Sequence, residues 1–216
     1  MGGVNLRHRI RPGNPRGAEA RDRLETLLSC ARRLFLERGY EGTSLNDVVL
    51  VAGGPKATVL KYFGNMAGLF SAVIADVSAA FVAAAHLEDL AGPPAQVLQA
   101  LGERLLRFYL ASDSLIVYRG VVAGGSRHRS MALPFFRGGH LTVVVALAAR
   151  LAHWHRAGLV AGGDSRDDAD LFLHLIRAGL YEQRLLGIRG APAKREITAC
   201  VDRAVHIFLW GVDAGK

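Results

Sequence analysis

The chain has 216 residues, of which 50% are hydrophobic, and it carries a formal net charge of +8. This apolar fraction excludes an intrinsically disordered chain and suits one compact body or two small domains. Residues 1–70 contain 11 Lys and Arg against 6 Asp and Glu, so the positive charge is concentrated at the front of the chain. A basic segment neutralises phosphates and gives sequence-independent affinity for nucleic acid, although a solvated basic surface has the same composition.

Cysteine spacing and hydropathy indicate the cellular compartment in which the protein works. Cys30 and Cys200 are far apart and in no metal-binding spacing, so we expect no disulfide framework. Arginines near the N-terminus are not followed by an apolar segment, and the longest apolar run, Leu141 to Leu151, is interrupted by Arg150 and too short to span a bilayer. Ala and Leu recur in long stretches, which favours helix over strand. We therefore expect a soluble, cytoplasmic, all-α protein that does not enter a membrane.

The front of the chain changes character at Arg21. Residues 1–20 hold several arginines among Gly, Pro and Asn without hydrophobic periodicity, which predicts a disordered basic tail. Such a tail either lies along DNA or has no role. From Arg21, apolar side chains recur at helical spacing as far as Phe35, which predicts an amphipathic helix that ends at Gly39.

Two short helices are predicted next. The hydroxyls of Thr43 and Ser44 can accept from unpaired amides at a helix start, and Asp47 follows Ser44 by three residues, as in a capping box. This second helix runs to about Ala52, and a tight turn at Gly53-Gly54 follows it.

Pro55 suits the first turn of a third helix, which runs to about Phe63. Val59 and Phe63 are one turn apart and are predicted to face inward. Four residues then face largely outward: Lys56, Ala57, Leu60 and Lys61.

Together, residues 43–63 predict a helix-turn-helix. In DNA recognition its second helix projects from a rigid three-helix core, so that a few side chains reach base edges in the major groove. Short helical hairpins also occur as packing units, so the shape alone leaves both interpretations open. Asn65 can cap a fourth helix whose apolar stripe continues to Val77.

Longer helices are predicted after Pro94, with loops at Gly124 to Ser130 and at Gly162 to Asp164. Their expected ranges are 95–111, 114–123, 134–157, 167–187 and 193–211. The chain thus divides into a tail (1–20), a helix-turn-helix domain (21–70) and a larger helical-bundle domain (71–216).

The last two helices are the candidate dimer interface. The apolar band of 193–211 is wider than one neighbour would bury, and Ala178-Gly179 in 167–187 permits close helix approach. We expect both helices to pair with their copies across a two-fold axis in a homodimer. The alternative is that both complete a monomeric core.

Aromatic residues in the same region could line a cavity for a lipophilic small molecule, or they could simply fill the core. The candidates are Phe108, Tyr109, Tyr118, Phe135, Phe136 and Trp154, with Arg119, His140 and His174 as sparse polar groups. His153 and His155 lie on different faces of a helix, so we expect no metal site. No catalytic motif occurs in a suitable context, so we expect neither a cofactor nor an enzyme.

The stretch from Ala31 to Ile74 resembles the N-terminal domain of TetR/AcrR-family transcriptional regulators. The matching residues are Leu34-Phe35, Gly39-Tyr40, Thr43, Ser44, Gly53, Lys56, Thr58, Tyr62 and Phe63. Residues Phe135 to Gly187 resemble the family's effector and dimerisation domain more loosely. The resemblance implies a ligand-responsive regulator, in the family's usual mode a repressor, that binds a palindromic operator as a dimer and is released by a small lipophilic ligand.

The resemblance also implies residue roles. Thr43, Ser44 and Asn46 would lie at the end of the second helix that contacts the DNA backbone. Lys56, Ala57, Thr58 and Tyr62 would face base edges or flanking phosphates, and Lys61 would add a phosphate contact.

This chain departs from the family at Leu60, where Tyr is usual, and at Met66, where Lys is usual. Two phosphate-binding groups are therefore missing, so binding is either weaker or depends on the arginines of the tail, Arg9 and Arg11. The alternative function is a non-catalytic helical scaffold or interaction protein with a degenerate DNA-binding domain.

Overall fold

The structure is a computed structural model in which residues 15–125 and 129–212 are described. These residues form eleven α-helices and no strand, so the predicted all-α fold is confirmed. The helices are α1 (Pro15–Arg38), α2 (Leu45–Ala52), α3 (Lys56–Phe63), α4 (Met66–Ala85), α5 (Pro94–Leu110), α6 (Ser112–Gly125), α7 (Arg129–Phe135), α8 (Leu141–Arg156), α9 (Ser165–Leu175), α10 (Leu180–Leu185) and α11 (Lys194–Trp210).

The start of α1 shows that the predicted tail, residues 1–20, is too long. The helix begins at Pro15, so residues 15–20 are helical and not disordered as predicted. Ala18, Glu19 and Ala20 are good helix formers, and proline is tolerated in the first turn of a helix because it needs no amide donor there. Residues 1–14, with Arg9 and Arg11, lie outside the described residues.

Two of the long predicted helices are divided. The range 167–187 was predicted as one helix, but α9 ends at Leu175 and α10 begins at Leu180, because Gly179 takes a left-handed conformation with φ of +81°. The range 134–157 comprises the end of α7, which contains Pro134, a π-helical turn over Phe136–His140, and α8. Proline has no amide donor and interrupts regular α-helical hydrogen bonding.

Both ends of the predicted loop from Gly124 to Ser130 are helical. Helix α6 continues to Gly125 and α7 begins at Arg129, while residues 126–128 lie outside the described residues.

The chain divides into two compact units. The first unit comprises Met1–Asp76 and Ile116–Phe135, as far as these ranges are described, and the second comprises Val77–Leu115 and Phe136–Lys216. The domain boundaries predicted from the sequence, 21–70 and 71–216, stay a prediction. They are contiguous segments, whereas the first unit also contains Ile116–Phe135. In that unit Gly120 lies against the ring of Phe70, where an added Cβ would be 3.2 Å from the ring.

The core of the first unit holds the helix-turn-helix in place. Its fully buried side chains come from α1, α2, α3 and α4, and Phe35 meets Phe70 edge to face with ring centroids 5.0 Å apart. The buried residues include Leu24, Leu27, Ala31, Leu34, Phe35, Val48, Val59, Phe63, Leu69, Phe70, Val73 and Ile74. Each fully buried Leu or Phe contributes about 1.5–3 kcal/mol, so this core fixes the orientation of the two short helices.

The second unit has its own core, built mainly from α5, α8, α9 and α11. Leu101, Leu105, Leu147, Trp154 and Phe172 are fully buried in it.

Two stretches, Met66–Asp89 and Ala132–Arg156, are long and apolar enough to cross a membrane by length and composition alone. Both supply side chains to the cores, among them Leu69 and Phe70 in the first stretch and Val143 and Leu147 in the second. Core helices of water-soluble proteins have the same properties.

Candidate nucleic-acid interface

Thr43 fixes the junction between α1 and α2. Its side chain is buried, and its hydroxyl oxygen lies 2.8 Å from the carbonyl oxygen of Gly39 and 3.3 Å from that of Leu34. The hydroxyl is therefore engaged by the end of α1. The Thr43 side chain therefore does not reach the surface. Its contribution to a DNA interface is to hold the start of α2.

Helix α2 begins with a reciprocal capping box. The backbone N–H of Asp47 donates to Oγ of Ser44 at 3.2 Å, and the backbone N–H of Ser44 donates to Oδ2 of Asp47 at 2.8 Å. The Ser44 hydroxyl and then the Ser44 backbone N–H hold the pKa of Asp47 below its ordinary value. The cap predicted at these residues is confirmed, and both Ser44 and Asn46 remain exposed.

The turn between α2 and α3 is anchored by Arg23, a residue that the sequence analysis missed. Gly53 and Gly54 have φ of +71° and +83°, as a tight glycine turn requires. From α1, Arg23 donates to the carbonyl oxygen of Ala52 at 3.1 Å and also to that of Gly53. The amphipathic pattern of α1 predicts Arg23 on its polar side, and no local sequence signal distinguishes it from the other arginines there.

Helix α3 presents a basic outer face. Val59 and Phe63 are buried as predicted, with 1% and 8% exposure. Lys56, Ala57 and Lys61 are exposed. The helix contains no acidic residue, so its two lysines make this face positive.

The remaining predicted contact residues lie at the edges of that face. Thr58 and Tyr62 are half-buried. Met66 is half-buried at the start of α4, where Oδ1 of Asn65 accepts from the backbone N–H of Gly68 at 2.9 Å. The predicted cap at Asn65 is therefore present, two residues after the end of α3.

The predicted ligand residues do not converge on one cavity within either unit. Tyr118, Arg119 and Phe135 belong to the first unit, and the remaining six belong to the second: Phe108, Tyr109, Phe136, His140, Trp154 and His174. Trp154 is fully buried in the core of the second unit, and Phe108 and Tyr109 pack against that core.

Two of these residues meet at Asp170. Nε2 of His140 lies 2.6 Å from Oδ1 of Asp170, and Nδ1 of His174 lies 2.8 Å from the Asp170 carbonyl oxygen. Burial lowers the pKa of His140, although the contact with Asp170 acts in the opposite direction. The side chain of His174 is 53% exposed.

The first unit contains a cavity of about 330 Å³. Phe35, Phe70, Ile116 and Val117 form its apolar wall. Its polar lining comes from Arg38, Tyr40, Glu41 and Arg119, and burial raises the pKa of Tyr40. Arg119 is thus the predicted ligand residue that lines this cavity.

Comparison with protein families covers both parts of the chain. Residues 27–73 match the family described as bacterial regulatory proteins, tetR family. Residues 96–211 match the family described as AefR-like transcriptional repressor, C-terminal domain. The first match contains α2 and α3, and the second contains most of the second unit.

Solved structures with a similar fold include a TetR-family transcriptional regulator from Mesorhizobium loti MAFF303099. It has 22% sequence identity and a TM-score of 0.77, and the match covers 88% of this chain and 96% of that chain. The flavonoid-responsive regulator FrrA has 22% identity and a TM-score of 0.72, with 87% and 95% of the two chains covered. The fatty acid degradation regulator FadR from Bacillus halodurans has 14% identity and a TM-score of 0.71, with 94% and 99% covered.

These identities show a common fold, while the two family matches together extend over most of the chain. The capped α2, the glycine turn and the basic α3 lie where the N-terminal family match places a DNA-binding domain. The chain therefore belongs to the TetR family of ligand-responsive, DNA-binding transcriptional regulators.

Proposed function

We propose that the chain is a cytoplasmic, non-enzymatic repressor that binds a palindromic operator as a homodimer and is released by a small lipophilic ligand. The observation that carries this proposal is the outer face of α3. It is basic, contains no acidic residue and is supported from behind by buried Val59 and Phe63. A short helix held in this way can enter a major groove.

The proposed DNA-contacting residues fall into two groups, those that face base edges and those that contact the DNA backbone. Lys56, Ala57, Thr58 and Tyr62 face base edges or the phosphates beside them, and Lys61 contacts a phosphate. At the start of α2, the exposed side chains of Ser44 and Asn46 approach the DNA backbone. Phosphate contacts position a protein on DNA, whereas contacts to base edges select the sequence.

The test is selection of binding sites from a randomised duplex pool, followed by affinity measurements on the enriched sequence. Lys56→Ala and Thr58→Ala each weaken binding by about 1–3 kcal/mol if they remove a base contact. Arg156→Ala, which removes an exposed positive charge from the end of α8 in the second unit, leaves the affinity unchanged. If no sequence is enriched at any salt concentration, the chain does not read an operator.

The dimer interface in this proposal is formed by the last helices, in the ranges 167–187 and 193–211. Five apolar side chains in or beside α9, α10 and α11 are more than half exposed in the single chain: Leu171, Leu186, Ile188, Trp210 and Val212. Their exposure supports a two-fold interface in which a second copy covers them. Sedimentation of Leu171→Glu then shows a weakened dimer, and Val122→Glu, at an exposed site on α6, serves as the control.

The effector in this proposal is lipophilic, and Arg119 contributes to its site. The cavity beside Arg119 has an aromatic wall and two guanidinium groups, which suits an apolar molecule that carries an acidic or phenolic group. One structural neighbour is described as flavonoid-responsive, and flavonoids have this chemistry. A flavonoid is the first probe: it releases the operator from the wild type at a lower concentration than from Arg119→Ala. Equal release concentrations would place the effector elsewhere.

The alternative is a scaffold whose DNA-binding domain is degenerate, and the family matches do not favour it. It predicts a dimer with no sequence preference, which the same selection experiment distinguishes.

A further inference from the structure

Leu60 is an apolar side chain on the basic face of α3. Its side chain is 42% exposed, whereas the neighbouring Val59 and the following Phe63 are 1% and 8% exposed. Leu60 is therefore not needed to fill the core of the first unit. Its position on the outer face requires a different explanation.

Leu60 lies on the same face of α3 as residues that are proposed to face the bases. It follows Lys56 by four residues and Ala57 by three, and residues at these spacings lie side by side on a helix surface. Ala57 ends at Cβ, so the longer Leu60 side chain projects beyond it. Leu60 therefore lies on the same side of α3 as Lys56 and Ala57, and close to the helix surface.

A leucine side chain makes neither a hydrogen bond nor an ion pair, so it gives nothing to a phosphate. In the major groove, base edges offer hydrogen-bonding atoms and one apolar group, the C5 methyl of thymine. From the exposure of Leu60 and its position beside Lys56 and Ala57, we propose that Leu60 contacts a thymine methyl group in each half-site and so determines part of the sequence specificity. This inference rests on the proposed function as an operator-binding protein.

The contact has a specific consequence for affinity. Removing one methyl group from an apolar contact weakens binding about fourfold, because this is the affinity that corresponds to the free energy of burying one methylene-sized group. The effect occurs at one thymine position in each half-site and not along the whole operator. A leucine that only excluded water from the backbone would have no such positional dependence.

The experiment replaces each thymine of the enriched operator, one at a time, with deoxyuridine, which lacks only the C5 methyl group. Wild type loses about fourfold in affinity at one position per half-site. Leu60→Ala binds the thymine and deoxyuridine versions of that position equally. Leu60→Met, which keeps an apolar side chain of similar volume, retains the discrimination.

The controls separate this inference from the proposed function. Because Leu60 is exposed, Leu60→Ala changes stability little, and thermal unfolding verifies this. Leu133→Ala, at an α7 leucine of 44% exposure, retains the wild-type discrimination. The inference is overturned if wild type and Leu60→Ala discriminate equally between thymine and deoxyuridine at every position. It is also overturned if Leu60→Ala weakens binding to all sequences by the same factor. If no operator is enriched, it is the proposed function that fails.

Discussion

Ser44 and Asp47 bind each other reciprocally at the start of α2, with backbone N–H donors at 3.2 Å from Oγ of Ser44 and 2.8 Å from Oδ2 of Asp47. This pair satisfies amides that the first turn of a helix leaves without intrahelical acceptors. Arg38, at the end of α1, lies 3.4 Å from the Asp47 carboxylate. The start of α2 is thereby tied to α1.

Replacing the capping serine tests this arrangement. Ser44→Ala removes the acceptor for the Asp47 amide and destabilises the protein by about 1 kcal/mol, as is typical of a lost N-cap. Urea denaturation followed by circular dichroism measures the change. Ser44→Thr keeps the hydroxyl that caps the helix and donates to Asp47, so it preserves most of the stability. An equal loss in both variants would show that the cap is not the cause.

The same pair predicts a pH dependence. The pKa of Asp47 is lowered by the Ser44 hydroxyl, then by the Ser44 amide, with a smaller effect from Arg38. A carboxyl whose pKa is lower in the folded state contributes stability above about pH 4, and loses it as the pH falls through the folded pKa. The stability difference between wild type and Asp47→Asn therefore shrinks between pH 5 and pH 3. A difference that stays constant over this range would contradict the shift.

Gly102 brings α5 close to α11 in the second unit. A Cβ at Gly102 would lie 2.6 Å from Cγ1 of Val201 and 3.3 Å from Cγ2 of Ile176, which is too close for van der Waals contact. Gly102→Ala therefore destabilises the second unit by about 1–3 kcal/mol through overpacking.

A second substitution provides the control for that prediction. Val201→Ala removes the clashing methyl group, so the double variant is more stable than the sum of the two single effects predicts. Additive effects in chemical denaturation would mean that the helices move apart freely at Gly102.

Local sequence signals predicted the helix-turn-helix well. Ser44, Gly53 and Pro55 each act through their own backbone or through neighbours within a few residues, so the ends of α2 and α3 follow from the sequence alone. The hydrophobic period likewise predicted α5 and α11 to within one residue at each end.

The sequence did not predict features that depend on distant partners or on a backbone conformation. Arg23 reaches carbonyl groups 29 and 30 residues away, and nothing near it in the sequence marks that partnership. Gly179 is predicted to be a site of close helix approach, but its positive φ places it at the N-cap of α10, between two separate helices. The aromatic residues proposed as one pocket are divided between two units because periodicity identifies a buried face and not its neighbours.

Lys61 is expected to contact a phosphate, which predicts its effect on salt dependence. Each phosphate that a protein neutralises contributes a slope of about −0.9 to log K against log salt concentration. Lys61→Ala, with one lysine lost per protomer, makes the slope of a dimer less negative by about 2 and weakens binding to all sequences alike. Binding measured at several salt concentrations checks this, and a loss of sequence preference with unchanged slope would assign Lys61 to a base instead.

The final prediction concerns the arginines ahead of α1. The family resemblance implies a phosphate-binding tyrosine at position 60 and lysine at position 66, and this chain has Leu60 and Met66 there. We therefore expect Arg7, Arg9 and Arg11 to supply compensating charge. Deleting residues 1–14 leaves α1 intact from Pro15 and makes the salt slope less negative by up to about 2.7 per protomer. Replacing the three arginines with glutamine has the same effect if charge is responsible. If the deletion weakens binding but the glutamine variant does not, the segment acts through something other than its charge; if neither changes the slope, it does not contact the DNA.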